Sequence, residues 1–289
     1  MGVLVRVHPA VFPLVATVSW GTNAVAGRFL VGGGYIDGIT LTLVRFALAT
    51  PLIFAAAAYM NEKVVGSGKR DIVIASLLGL LGVTGFNTLF YTALGYMEAA
   101  LVSLITSLIT PMTYIAAVAL GMDRLDLKGI VGIVMAVAGA YLILAPGGSS
   151  INFLGAVLAF GAAVSWTVYT LAVRGVASRM GPTASLAWSS LLGTLALTPA
   201  AINIPNTVIN PVVIALILYV AIVPGALGYA AWNLGVKMAG PTLPSTFIPV
   251  VPLTATILGW ILLGEQLTFR EMLGGLFIIA GILIVVKRK

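Results

Sequence analysis

The sequence contains no cysteine and a single histidine, His8. Without cysteine the chain can form no disulfide, no thiolate metal site and no cysteine nucleophile. One histidine likewise excludes a metal centre built from several histidines, and it leaves little scope for histidine-based acid–base catalysis. We therefore expect a protein without a bound metal and without a cofactor.

Charge is also scarce, because 8% of the residues are charged while 60% are apolar, and the mean hydropathy is +1.13. In a soluble domain about a quarter of the residues are charged. A bilayer core about 30 Å thick takes roughly 20 apolar residues per helix. The chain contains ten such runs, near 10–31, 39–60, 72–94, 99–120, 127–145, 153–173, 183–203, 212–234, 242–263 and 270–286. These runs lack the alternation of apolar and polar residues that is typical of barrel strands. We therefore predict an all-α membrane protein with ten transmembrane helices.

The net charge of +7 is explained by where the basic residues lie. If the ten helices alternate in direction, one side carries twelve of the 15 basic residues and the other carries two, Arg28 and Arg270. The larger set is Arg6, Lys63, Lys69, Arg70, Arg124, Lys128, Arg174, Arg179, Lys237, Lys287, Arg288 and Lys289. Basic loops face the cytoplasm. We predict both termini in the cytoplasm of a bacterial-type inner membrane, with the lipid bilayer and not nucleic acid as the partner of this charge.

The opening of the first predicted helix recurs in the sixth. SWGTNAVAGR begins at Ser19 and SWTVYTLAVR begins at Ser165. Pro111 and Pro252 are also separated by a similar interval, which suggests two five-helix copies, residues 1–149 and 150–289. Because five is odd, the second copy enters the membrane from the opposite side, and the copies are inverted repeats. Such repeats allow alternating access through a central cavity.

The sequence resembles the EamA-type, ten-helix branch of the drug/metabolite transporter superfamily. The resemblance rests on LLGEQLTFREMLGGLFIIAGILIVV near the C-terminus, on LVRFALA in the second run, and on Pro111 and Pro252. It covers essentially the whole chain, although GMDRLDL at Gly121 to Leu127 departs from the pattern of the second copy. The resemblance implies export of small metabolites, and within the family the sequence looks most like the bacterial exporters of aromatic and other amino acids.

Polar and aromatic side chains inside the runs are candidates for contact with a small-molecule substrate. The candidates in the first, third, sixth and eighth helices are Trp20, Asn23, Asn87, Tyr91, Trp166, Tyr169, Tyr229 and Trp232. An amide facing lipid would be unsatisfied, so the asparagines should face the bundle interior or a wet cavity. The alternative for each asparagine is a hydrogen bond between helices. For the tryptophans the alternative is anchoring at the membrane interface, which suits Trp260.

Arg45 is the one charged side chain well inside a predicted span. It could bind a carboxylate or act in gating. The alternative is an outward-reaching arginine that pairs with carbonyls near the outer surface, or with Asp37 or Glu98.

The fourth and ninth helices should be broken. Four prolines lie within PTLPSTFIPVVP, Pro241 to Pro252, and each lacks the amide hydrogen that a helix uses. Ser107 and Ser245 beside these breaks could donate to a substrate or satisfy freed carbonyls. Spaced small residues on the fifth and tenth helices favour close helix packing, within the chain or between chains. The oligomeric state is expected to be a monomer or a weak homodimer.

All eight acidic residues lie in or beside loops, so the predicted spans contain no carboxylate for proton coupling. This distribution favours facilitated diffusion or weakly coupled export. A channel for the same solutes, or an exporter of sugars, nucleosides or drugs, is the alternative. A membrane enzyme is the alternative from another class, and the short loops and the lack of a histidine partner for the acidic pair Asp123 and Asp126 argue against it.

Overall fold

A computed structural model of the chain describes residues 7–65, 68–94, 96, 99–144, 152–199, 210–263 and 268–288. These residues form ten helical segments and no strand. We number the segments α1 (Val11–Gly27), α2 (Gly38–Tyr59), α3 (Lys69–Gly79 and Phe86–Leu94), α4 (Ala99–Thr106 and Ile109–Ala119), α5 (Leu127–Leu144), α6 (Phe153–Met180), α7 (Pro182–Leu197), α8 (Pro211–Val220 and Gly228–Ala239), α9 (Thr242–Ser245 and Val250–Leu263) and α10 (Phe269–Val286).

The ten segments coincide with the ten predicted spans, and the differences lie at their ends. Among the described residues, seven helices are long and apolar enough to cross a membrane. Segments α1 and α7 are shorter, at 17 and 16 residues, and so is α9, whose longer part has 14 residues. Segment α6 continues to Met180, where we expected an end near residue 173. Gly181, with a φ of 112°, ends α6, and Pro182 then begins α7 at once. The predicted boundary between residues 149 and 150 lies outside the described residues.

Several helices begin at a side chain that caps the first backbone N–H groups. The Asp37 carboxylate accepts hydrogen bonds from the N–H groups of Ile39 and Thr40 at the start of α2. Asn152 and Asn210 cap α6 and α8 in the same manner. Thr268 and Glu271 form a reciprocal capping box at the start of α10. Each cap satisfies donors that the helix itself leaves unpaired.

The helices pack mainly across the two halves of the chain. Segment α1 packs against α8 and α9, while α6 packs against α3 and α4. Segments α2 and α7 contact each other, as do α5 and α10. The expected glycine packing of α5 occurs within the chain: a Cβ added at Gly139 would lie 2.5 Å from the Gly274 carbonyl oxygen, and one at Gly132 would lie 2.7 Å from that of Gly281.

Irregular backbone interrupts four of the segments. The expected breaks in α4 and α9 are confirmed, since helical structure stops at Ser107–Leu108 and again between Ser245 and Val250. Two further interruptions were not predicted: π-helical turns join the halves of α3 at Leu80–Gly85 and of α8 at Ala221–Leu227. A third π-helical turn, Arg28–Gly32, extends α1. Such turns leave backbone groups out of the regular hydrogen-bond ladder and often mark functional positions.

Candidate functional site

The two tryptophans of the repeated helix opening are in contact at the centre of the bundle. The ring centroids of Trp20 and Trp166 lie 5.2 Å apart in an edge-to-face arrangement. Both rings also contact Tyr229 and Trp232, at centroid distances of 5.2 to 5.7 Å. We call the whole group the aromatic cluster; its members are Trp20, Phe46, Phe86, Trp166, Tyr169, Tyr229 and Trp232.

The rings of the aromatic cluster fill the space between them. Trp166 is 2% exposed, Trp232 is 0% exposed, and Trp20 is partly buried. Trp260, by contrast, is 51% exposed on α9. The indole and phenol side chains that we expected to line a pathway therefore pack against one another in this structure, and a solute would have to separate them.

The π-helical turns of α3 and α8 hold the cluster in place. Trp20 Nε1 donates to the carbonyl of Pro224, 3.1 Å away within the turn of α8. Ser165, which precedes Trp166, donates to the Leu81 carbonyl at 2.9 Å within the turn of α3. Carbonyls released from the helix ladder thus anchor the two Ser-Trp openings to the opposite half of the chain.

Arg45 lies beside the cluster and is buried, at 3% exposure. Its guanidinium donates to Asn23 Oδ1 at 3.4 Å and to Asn87 Oδ1 at 3.5 Å, and it lies 4.7 Å from the centre of the Phe46 ring. The Nε donor has no hydrogen-bond partner. The alternative of outward pairing with Asp37 is wrong, because one oxygen of that carboxylate caps α2 and the other has no hydrogen-bond partner. Glu98 lies outside the described residues.

Asn87 connects Arg45 to the rings. Its amide donates to the Val83 carbonyl at 2.7 Å and to the Tyr229 hydroxyl at 3.5 Å. The Tyr229 hydroxyl in turn donates to the Gly82 carbonyl at 3.3 Å, within the π-helical turn of α3. The two asparagines that we expected in the bundle interior therefore do lie there, Asn87 buried and Asn23 partly buried.

A second polar pair lies on the opposite half of the chain. The Tyr169 hydroxyl donates to Asn233 Oδ1 at 2.9 Å, and both residues are fully buried. The Asn233 amide also donates to the Pro182 carbonyl at 3.5 Å. This pair joins α6 to α8, so Tyr169 forms an interhelical hydrogen bond.

The other predicted contacts with substrate lie in less central surroundings. Tyr91 is partly buried, and its ring contacts Phe90 and the backbone of α2 at Gly38. The hydroxyls of Ser107 and Ser245 donate to carbonyls of their own segments, those of Ser103 and Thr242. The Ser245 carbonyl accepts from Thr110 and so joins α9 to α4. Both serines thus satisfy broken-helix carbonyls, the second of the two roles we considered.

Sequence reasoning missed Phe46, Phe86 and the Pro224 carbonyl as parts of the site. The phenylalanines belong to apolar runs in which many positions are aromatic or aliphatic, so nothing in the pattern singles them out. The carbonyl is used because α8 forms a π-helical turn. The sequence offers one indication of it, Pro224-Gly225, since proline removes a helix hydrogen bond.

A separate ionic cluster joins the C-terminal end of α10 to the loop between α4 and α5. Arg288 contacts Asp123 at 2.9 Å and also contacts Asp126, and its guanidinium faces the Tyr114 ring. The Gly129 backbone N–H and the nearby Arg288 guanidinium hold the pKa of the Asp126 carboxyl below its ordinary value of 3.8. Asp71 and Arg179 form another ion pair, between α3 and α6, at 2.8 Å. These contacts fix helix ends and lie outside the aromatic cluster.

Comparison with known proteins places this architecture in a family. The model of the EamA-like transporter family matches the chain twice, over residues 9–145 and 153–287. The chain belongs to the EamA-like transporter family. It is therefore a multi-pass membrane transporter, and its relatives are transporters and not enzymes.

Individual relatives of this EamA-like transporter share few identical residues with it, but they align with it over nearly their whole length. An uncharacterized transporter of Archaeoglobus fulgidus is 28% identical and aligns over 89% of this chain and 91% of its own. A probable terminal-alkyne amino-acid exporter of Streptantibioticus cattleyicolor is 26% identical over 98% of this chain and 95% of its own. One crystal structure, 19% identical, superposes with a TM-score of 0.83 over 97% of this chain and 98% of its own, which shows the shared fold.

Proposed function

We propose that the protein exports small metabolites across a bacterial-type inner membrane, and that amino acids, including aromatic ones, are its substrates. A relative of similar length bears the name of an amino-acid exporter. The centre of the bundle presents aromatic rings beside amide groups and one arginine. This combination suits an amphipathic solute, since rings stack on an apolar part while polar groups fix its orientation.

The proposed mechanism is alternating access between two inverted five-helix repeats, residues 1–149 and 150–289. The double match to the family model supports two repeats. The helix pairing supports them as well, because α1 on α8 corresponds to α6 on α3, and α5 packs on its own counterpart α10. An exchange of conformation between two such halves would open the pathway first to one side and then to the other.

The observation that carries the proposal is the contact between Trp20 and Trp166. One ring comes from each proposed repeat, and together with Tyr229 and Trp232 they occupy the centre of the bundle. Two rings that move apart when the halves rock against each other would admit a solute and would then close around it.

Flux into liposomes tests this function directly. Purified protein should move labelled phenylalanine and leucine down their gradients faster than protein-free vesicles, with saturation and with counterflow driven by unlabelled substrate. It should do so without an imposed proton gradient, because the described acidic residues lie at helix ends or in loops. Flux of sugars, nucleosides or drugs without amino acids would contradict the substrate class, and flux that neither saturates nor shows counterflow would indicate a channel.

The proposed orientation places both termini in the cytoplasm, since the basic residues are sorted twelve to two. A reporter enzyme fused after Lys289 should be active in its cytoplasmic form. Activity only in the periplasmic form would overturn either the orientation or the even number of spans.

A further inference from the structure

We propose that Arg45 is the binding site for a carboxylate of the substrate, and that the pathway therefore selects organic carboxylates over amines. The inference rests on the proposed function and narrows its substrate class. Arginine keeps its charge at all physiological pH values, so this side chain is a permanent cation inside the bundle.

The protein itself satisfies this cation incompletely. A guanidinium has five N–H donors, and here two contacts to Asn23 and Asn87 lie at 3.4 and 3.5 Å, the outer limit for a hydrogen bond. The Nε donor has none. No ion pair among the described residues includes Arg45. A charge buried to this degree is costly unless it is paired.

The surrounding groups favour a carboxylate as the missing partner. Trp166 Nε1 and Trp232 Nε1 are also buried donors without an acceptor, and the Trp166 ring contacts both Tyr229 and the Trp232 ring. Asn87 links Tyr229 to Arg45. The unpaired atoms are thus donors, so they call for an acceptor. A carboxylate matches a guanidinium in planar two-point geometry, which amines and alcohols cannot reproduce.

The aromatic cluster explains why the carboxylate should belong to an amphipathic molecule. Phe46 lies under the guanidinium, and its ring contacts Tyr229, which in turn contacts Trp20. A solute that pairs with Arg45 would place its side chain among these rings. The counterpart helix of the second half, α7, has no charged residue between Pro182 and Leu197, so the site is present in one half only.

Tryptophan fluorescence provides a binding test that does not depend on transport. The full chain in detergent is titrated with L-phenylalanine, 3-phenylpropanoate and 2-phenylethylamine. The two carboxylates should change the emission saturably, because three tryptophans lie in the cluster, while the amine should bind at least about tenfold more weakly. Equal binding of the amine and the carboxylates by the wild-type protein would overturn the inference, and so would binding of none of the three.

Variants of Arg45 add a second, independent arm. Arg45→Gln should weaken binding of 3-phenylpropanoate about tenfold, and Arg45→Lys should retain part of it. Arg124→Gln, which changes an exposed loop arginine, is the matched control and should bind as the wild type does. Unchanged binding in Arg45→Gln would refute the role of Arg45. Failure of the proposed function is a separate result: carboxylates would bind through Arg45, but no amino acid would cross the membrane.

Discussion

The two halves of the chain place different polar side chains beside one aromatic cluster. Asn23 lies three residues after Trp20, and Tyr169 lies three residues after Trp166. Tyr169 donates to Asn233 at 2.9 Å, in a pair that is fully buried. Asn23 accepts only a 3.4 Å contact from Arg45, whose Nε is unpaired. Equivalent helix positions thus serve a closed structural pair in one half and an incompletely satisfied cation in the other.

This difference separates residues that hold the bundle together from residues that can bind a ligand. A satisfied, buried hydrogen bond between helices stabilises one arrangement of the bundle. Groups whose hydrogen bonds are long or absent can form better ones with a solute at little structural cost. We therefore expect Tyr169 and Asn233 to act mainly in stability, and we propose that Arg45 and Asn23 act in recognition.

The largest expected effect is on stability, in the second half. Tyr169→Phe removes the hydroxyl and leaves the buried Asn233 oxygen without its closest donor, which should lower the unfolding free energy by about 1 to 3 kcal/mol. Asn23→Ala removes a long contact at a partly buried position and should lower the unfolding free energy by a smaller amount. Melting temperatures of both variants in the same detergent measure this. An equal or larger loss in Asn23→Ala would break the comparison.

A smaller effect, on transport, should follow removal of an aromatic wall. An aromatic pair contributes about 0.5 to 1.5 kcal/mol beyond area burial, and 1.4 kcal/mol corresponds to tenfold. Trp20→Ala should therefore slow phenylalanine flux up to about tenfold, with leucine flux less affected. Trp166→Phe keeps an aromatic ring at its position and should slow phenylalanine flux less than Trp20→Ala does.

Trp260→Ala, which changes an exposed indole on α9, is the control for these transport rates. Rates are normalised to reconstituted protein, because loss of the Trp20 contact to Pro224 also affects folding. If the ratio of phenylalanine to leucine flux is the same in Trp20→Ala, Trp166→Phe and Trp260→Ala, the repeated tryptophans serve packing alone.

The sequence predicted the fold well and the site in part, for a common physical reason. Long apolar runs between polar joints specify membrane helices almost directly, because lipid leaves the backbone few alternatives. The same logic placed Asn87 and Asn23 in the interior. It could not tell that Tyr169 would be paired while Arg45 would not, because pairing depends on how α6 meets α8 and how α2 meets α3. The π-helical turns at Leu80–Gly85 and Ala221–Leu227 were also not predicted. They change the direction in which side chains point, but their composition is as apolar as that of the helices around them.

The smallest expected effect concerns Asp126, which lies outside the aromatic cluster. It tests whether residues outside the cluster affect stability without affecting transport. Asp126 accepts from the Gly129 N–H and contacts Arg288, and its pKa is held below 3.8. A carboxyl whose pKa is lowered by folding stabilises the protein above its unfolded-state pKa, and this contribution is lost as pH falls through the folded-state pKa.

At pH 6 Asp126→Asn should have a slightly lower melting temperature than the wild type. The unfolding free energy should fall by about 0.2 to 1 kcal/mol, the range for ion pairs at a protein surface. The difference should shrink as the pH falls through the folded-state pKa, which lies below 3.8, while phenylalanine flux at pH 6 should be the same in both proteins. A melting difference as large at pH 3 as at pH 6 would show that the carboxyl charge is not what stabilises this end of α10. A change in flux would extend the functional site to the ionic cluster.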